Sequence, residues 1–253
     1  MLKTRVIPAL LLRDDALVKT VKFSKPGYIG DPINTVRIFN ELEVDELVFL
    51  DIEATTQTRK PNLRILREIA NECFMPLAYG GGLHDFETAK EIFEIGFEKV
   101  VLNAACHSHP KVIEQLAQHY GNQAVVASVD VKKNFWGNYE VLTHSGSKNS
   151  KKNPVEWCKQ LEAMGAGEIL LTSIDREGTW SGFDVDLTCM VSEAVGVPVI
   201  AHGGAGNLDH IRDVVHNSKA SAVALGSMVV YQQKGMGVLV NFPDKEKLES
   251  ILN

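Results

Sequence analysis

The chain has 253 residues, 45% hydrophobic and 23% charged, with a formal net charge of −6. That balance belongs to a globular protein rather than a disordered or membrane-spanning one, since no run of about 18 apolar residues is present. An acidic chain also argues against nonspecific nucleic-acid binding, so an anionic ligand needs local positive potential. Cys73, Cys106, Cys158 and Cys189 lie far apart with no Cys-x-x-Cys pair, which indicates neither a zinc knuckle nor a disulfide framework. No metal or cofactor is expected, and a reducing cytoplasm fits.

The segment from Met1 to Leu12 is basic and then apolar, but the apolar run is short, lacks a small-residue cleavage pattern and is followed by Arg13-Asp14-Asp15. It reads as a first strand rather than a leader. Further apolar, β-branched runs follow, and the predicted strands are 5–12, 46–52, 76–79, 98–103, 124–131, 167–173, 198–202 and 220–226. Helical patterns fill the intervals; in 62–70 the apolar residues Leu63, Leu66, Ile69 and Ala70 share one face. Eight strand–helix units without a linker predict a (β/α)₈ TIM barrel as one domain over 1–253, with a doubly wound open sheet as the alternative.

Two stretches repeat. Pro76-Leu77-Ala78-Tyr79-Gly80-Gly81-Gly82 returns as Pro198-Val199-Ile200-Ala201-His202-Gly203-Gly204, and Glu46–Ile52 returns as Glu168–Ile174, each 122 positions later. The barrel therefore reads as two similar half-barrels. Each glycine turn follows a strand and opens toward a helix, where backbone N–H groups can face an anion. Two seats half a barrel apart, at the C-terminal ends of the strands, fit a ligand with a phosphate at each end.

Four segments at strand C-termini can add chemistry. Residues 13–30, with Lys19, Lys22 and Lys25, read as a basic loop able to close over an anion. Within 132–152, the alternation of Phe135, Tyr139, Val141 and Thr143 predicts a hairpin. Asp175-Arg176-Glu177-Gly178-Thr179 and Ala224-Leu225-Gly226-Ser227 can supply N–H and hydroxyl donors near the second glycine turn. Asp130 and Asp51 end the fifth and second strands, where a barrel mouth can position a general acid or base. Superimposing the halves puts Leu11 where Asp130 sits, so a paired-carboxylate mechanism has one carboxylate. The same superposition pairs Arg5 with Ala124 and Lys99 with Ser221.

These residues resemble the cyclase subunit family of imidazole glycerol phosphate synthase over nearly the whole chain. Gly30-Asp31-Pro32, Asp45–Ile52, both glycine turns, Glu156-Trp157, Gly165–Ser173 and Asp175-Arg176-x-Gly178-Thr179 match its pattern. The resemblance implies a lyase barrel that takes ammonia from a glutaminase docked at its N-terminal face and uses it on a bisphosphorylated substrate at the other. It implies a charged gate of Arg5, Glu46, Lys99 and Glu168. It also implies a phosphorylated small molecule held by Lys19, Asp51, Gly81, Gly82, Asn103, Asp175, Gly178, Gly203, Gly204 and Ser227, with Asp130 catalytic. Leu11 replaces the family's other aspartate, Ala78 and Ala104 stand for threonines, and His202 for a serine. A lost general acid or base lowers a rate by about 10²- to 10⁴-fold, so cyclisation is expected to be weak or absent.

Leu10–Arg13 and Leu17–Phe23 are similar to a divergent branch of the family found with surface-polysaccharide genes. That similarity implies a barrel supplying ammonia to a third protein, which amidates an N-acetyl sugar. The alternatives are an active cyclase of histidine biosynthesis using another proton donor, and a noncatalytic phosphate-binding regulatory scaffold. A sugar-phosphate isomerase of the same architecture also relies on a first-strand aspartate and has no need of the charged ring.

Overall fold

The computed structural model describes residues 4–252, so the Met1–Lys3 portion of the basic start lies outside the described residues. In chain order the strands are β1 (Arg5–Arg13), β2 (Ala16–Val21), β3 (Ser24–Gly30), β4 (Leu47–Asp51), β5 (Leu77–Gly80), β6 (Lys99–Leu102), β7 (Val125–Lys133), β8 (Tyr139–Thr143), β9 (Lys148–Asn149), β10 (Glu168–Ser173), β11 (Val199–His202) and β12 (Ala222–Leu225). Eight of these, β1, β4, β5, β6, β7, β10, β11 and β12, pair in parallel in that order, and β12 returns to β1. The result is a closed (β/α)₈ barrel, and the open-sheet alternative falls because among the described residues no parallel edge is left unpaired.

The crossovers carry α1 (Pro32–Glu41), α2 (Leu63–Glu72), α3 (Phe86–Glu94), α4 (Ala104–Ser108), α5 (Lys111–Tyr120), α6 (Pro154–Ala163), α7 (Val185–Ser192) and α8 (Leu208–Ser218); α9 (Ser227–Val230) and α10 (Lys245–Leu252) follow the last strand. Asp31, Asp85, Asn153, Asp184 and Asn207 cap five of them with side-chain oxygens that accept first-turn N–H groups.

Strand alternation sorts side chains into two apolar layers. On β1, Val6, Leu10 and Leu12 face the helices, whereas Ile7 and Ala9 join Val48, Ala78, Val101, Val126, Leu170, Ile200, Ala222 and Ala224 in the lumen. The same parity turns Leu11 and Asp130 toward the barrel axis at the C-terminal mouth.

Residues 13–30 form a hairpin, not the expected loop. β2 pairs with β1 through Leu11↔Val18 and Leu12↔Leu17, and with β3 through Val18↔Tyr28. Leu17 and Val18 are buried, which gives that hairpin a reason to lie down. Of its lysines, Lys22 and Lys25 are exposed and Lys19 is buried. The predicted hairpin after the fifth strand is present as β7, β8 and β9; Val141 and Thr143 face inward, but Phe135 stands at its tip, 93% exposed. The duplication thus extends to the excursions, since β1 and β7 are equivalent strands.

The registers make the half-barrel correspondence explicit. Leu11 lies opposite Leu50, and Asp130 lies opposite Thr172, 122 positions beyond Leu50, so Leu11 and Asp130 are equivalent. The equivalent of Lys99 is Ala222 rather than Ser221, because Ala78 pairs with Lys99 and Ile200 with Ala222. One extra residue in the second half, between β11 and β12, accounts for the offset.

Candidate active site

The mouth is a cavity of about 280 Å³ whose floor includes Leu11, Leu50, Asn103, Ser128, Asp130, Thr172 and His202. The two hairpins meet over it: Phe23 and Pro26 come from one, His144 and Ser145 from the other. At Gly146 a Cβ would lie 3.1 Å from the Phe23 ring, which shows how closely the hairpins approach.

Asp130 is 8% exposed. Its Oδ2 accepts a hydrogen bond from Asn103 Nδ2 at 3.1 Å, and the same amide donates to the Ser128 carbonyl at 3.0 Å. Burial pushes the Asp130 carboxyl up to about 7, only partly offset by hydrogen bonding with Thr172 and Ser128. A carboxyl so tuned can give or take a proton near neutrality. Its equivalent across the barrel is a leucine side chain, which can do neither.

Asp51 lines the same cavity but is out of phase with the lumen-facing Leu50. Its carboxylate is clamped by Arg59, Nη1 to Oδ2 at 2.8 Å and Nη2 to Oδ1 at 3.0 Å, and accepts the N–H groups of Glu53 and Ala54. In this arrangement it shapes the turn that backs the first glycine seat. Gly81, at φ 129°, sits so close to that turn that a Cβ would lie 2.6 Å from the Asp51 carbonyl. Gly203 repeats the contact in the second half, 2.7 Å from the Ser173 carbonyl. Gly82 completes the first seat and Gly204 the second.

The second seat also gathers Lys19, Glu177, Gly178, His202, Gly226 and Ser227. Lys19 and Glu177 form an ion pair in which both side chains are almost wholly buried. Burial pulls the Lys19 ammonium down to about 7, and the Glu177 carboxyl is the acidic group it pairs with. Glu177 also accepts the Phe23 N–H at 3.1 Å and, through its carbonyl, the Lys22 N–H at 2.9 Å. His202 is neutral, driven down to about 3 by burial and then by Lys19, and its Nδ1 lies 3.1 Å from Thr172 Oγ1. The Ser227 hydroxyl is buried with no hydrogen-bond partner among the described residues. Asp175 does not join this group; its carboxylate accepts the Lys133 N–H at 2.8 Å and fastens the β7–β8 hairpin. Sequence reasoning left Glu177 without a role of its own, because its partner lies 158 residues away and no local pattern joins them.

At the opposite end, Arg5, Glu46, Lys99 and Glu168 close a ring of alternating charge. Arg5 reaches Glu46 at 2.6 Å and Glu168 at 2.7 Å, while Lys99 reaches Glu46 at 2.9 Å and Glu168 at 3.1 Å. Between ring and mouth a void of about 10 Å³ is bounded by Ile7, Val48, Ala78, Val101, Val126, Leu170, Ile200 and Ala224, with Glu46 at its base. Among the described residues no cluster of three or more His, Cys, Asp or Glu is arranged to hold a metal ion, and no helix is long and apolar enough to cross a membrane.

A family model described as histidine biosynthesis protein matches residues 5–235. The chain belongs to this family. A Pseudomonas aeruginosa protein provisionally named imidazole glycerol phosphate synthase subunit hisF2 is 48% identical over 249 residues, covering 98% of this chain and 99% of its own. A Vibrio vulnificus protein, provisionally named subunit hisF3 of the same synthase, is 43% identical over 253 residues, covering 100% and 97%. Imidazole glycerol phosphate synthase subunit HisF of Chlorobium phaeovibrioides is 41% identical over 233 residues, 92% of each chain. Within the histidine biosynthesis family the chain is therefore HisF-like, similar to the cyclase subunit of that synthase from the first strand through the second glycine seat.

Proposed function

We propose that this chain is the ammonia-channelling barrel of a glutamine-dependent amidotransferase system, with cyclisation weak or lost. A glutaminase docks at the N-terminal face and releases ammonia to the Arg5/Glu46/Lys99/Glu168 ring. The ammonia crosses the lumen and leaves at the mouth for a third protein, which amidates an N-acetyl sugar destined for surface polysaccharide.

The observation that carries this reading is a contrast between the two ends of the barrel. The ring is complete and bonded all round, while Leu11 occupies the register position of Asp130. Passing ammonia needs the first and not a pair of carboxylates. The lumen supports the same reading: its apolar lining disfavours ammonium and water, which would lose hydrogen bonds there, far more than neutral ammonia. Arg5 and Lys99 keep the two glutamates neutralised, so the entrance does not trap ammonium on a bare carboxylate. The ordinals in the names hisF2 and hisF3 fit additional copies beside a histidine enzyme, and the likeness of Leu10–Arg13 and Leu17–Phe23 to the polysaccharide branch points the same way.

An active cyclase is favoured by one specific observation, the Asp130 carboxyl near neutrality beside Asn103 with both glycine seats intact. One reconstitution separates the readings. With the glutaminase added, glutamine hydrolysis is expected to rise while the bisphosphorylated cyclase substrate stays unconverted. Robust formation of imidazole glycerol phosphate overturns the proposal in favour of the cyclase.

A further inference from the structure

We infer that the tip of the β7–β8 hairpin is the docking point for the enzyme that consumes the ammonia, a protein with an acidic face around an apolar pocket; this rests on the channelling reading above. The hairpin projects from the strand that carries Asp130. At its tip Phe135 and Trp136 are 93% and 82% exposed, packed edge to face against each other at 5.4 Å. The turn holding them is stiff. Asn134 Oδ1 accepts the N–H groups of Trp136 and Asn138 at 2.9 and 3.0 Å, the Asn134 N–H donates to the Asn138 carbonyl at 2.9 Å, and Asn134 Nδ2 donates to Glu140 at 2.9 Å. Tyr139, the first residue of β8 after the turn, donates its hydroxyl to Asp184 at 2.8 Å and so ties the tip end of the hairpin to the barrel. Two large aromatic side chains held in water on an ordered support have the make-up of a binding hot spot, with little ordering entropy left to lose.

Charge selects the partner. Segment 132–152 contains five lysines and one carboxylate, in a chain whose net charge is −6. Lys132 and Lys133 are exposed on the strand that runs into the aromatic pair, and Lys148 and Lys151 are exposed farther along the same hairpin. A second copy of this hairpin is repelled by them, and an acidic protein face is attracted. Exposed aromatics with lysines also suit an anionic bilayer, but a bilayer surface is wet and offers no closed site, whereas ammonia leaving an apolar lumen has to be received before water protonates it. A protein seated on the rim meets that requirement.

The test places photoreactive p-benzoylphenylalanine at position 136, and the trapped protein is identified, purified and added to the barrel–glutaminase complex with its acceptor. The expected adduct is an amidating enzyme. Phe135→Ala combined with Trp136→Ala is expected to lower glutamine-driven amidation at least about tenfold, while ammonium-chloride-driven amidation and partner-stimulated glutamine hydrolysis stay within about twofold. Unchanged glutamine-driven amidation overturns the inference, as does an adduct with the glutaminase, a second barrel or no protein at all. Trp136-dependent sedimentation with phosphatidylglycerol vesicles assigns the tip to a membrane instead. If the unmodified complex amidates with ammonium chloride and never with glutamine, the channelling reading itself fails.

Discussion

Asp130 is held against its own ionisation. Its carboxyl titrates near 3.8 when solvated and near 7 in the fold, so between those values the native state binds a proton that the unfolded chain has released. Stability therefore falls as pH rises from about 4 to about 7, and above that the full penalty of a buried carboxylate is present. Asp130→Asn keeps an oxygen to accept the Asn103 amide and removes the charge. It is expected to raise stability by about 2 to 4 kcal/mol at pH 8 and to flatten the pH dependence, read by urea unfolding at pH 5 and pH 8. A protein pays such a cost for a function or keeps it by descent; Leu11, facing the same lumen, has shed the matching cost. Both residues were legible in the sequence, because aligning the half-barrels strand by strand identifies equivalent positions without any knowledge of contacts, although the same alignment set Lys99 one residue off, against Ser221 instead of Ala222. Asp51 was legible as a carboxylate at a strand end, but its parity was not, and parity is what turns it to Arg59 and away from the axis.

At the scale of elements, Glu177 fastens the β2–β3 hairpin over the second glycine seat through Lys19, the Phe23 N–H and the Lys22 N–H. Removing one partner of a buried pair strands the other. Glu177→Ala is expected to cost about 3 kcal/mol and to speed amide exchange across residues 16–30 more than across the barrel strands; Lys19→Met with Glu177→Gln, which leaves no buried charge, is expected to recover most of the loss. Hydrogen exchange with mass spectrometry and chemical denaturation read both effects. The hairpin was hidden in the sequence for a related reason. Its second strand, Ser24–Gly30, is exposed over most of its length and holds a proline and two glycines, so alternation is absent and only pairing with the buried Leu17 and Val18 reveals it as a strand. The hairpin at 139–143, with Val141 and Thr143 buried in alternation, carried its own signal.

Over the whole molecule, eight apolar runs separated by amphipathic helices were enough to specify closure, and the charged ring followed from four strand starts once the family pattern was recognised. The void inside the lumen was not legible, since it depends on how Ala78 and Ala224 fit among Ile7, Val48, Leu170 and Ile200. Ala78→Leu adds three carbons to a space the size of a single water. It is expected to lower glutamine-driven amidation by about tenfold or more while ammonium-driven amidation persists, with a loss of about 1 to 3 kcal/mol in stability from overpacking, checked by thermal melting of the same preparation.

The ring has one further consequence. The scaffold is close to two-fold symmetric, yet in the other half Ala124 replaces Arg5 and Ala222 replaces Lys99. A symmetric rim would accept a single partner in either of two orientations half a turn apart. With both cations contributed by β1 and β6, the rim is keyed: a subunit landing on it finds one rotational setting in which its own charges are answered, and a barrel made by doubling presents a face that can be read in only one direction.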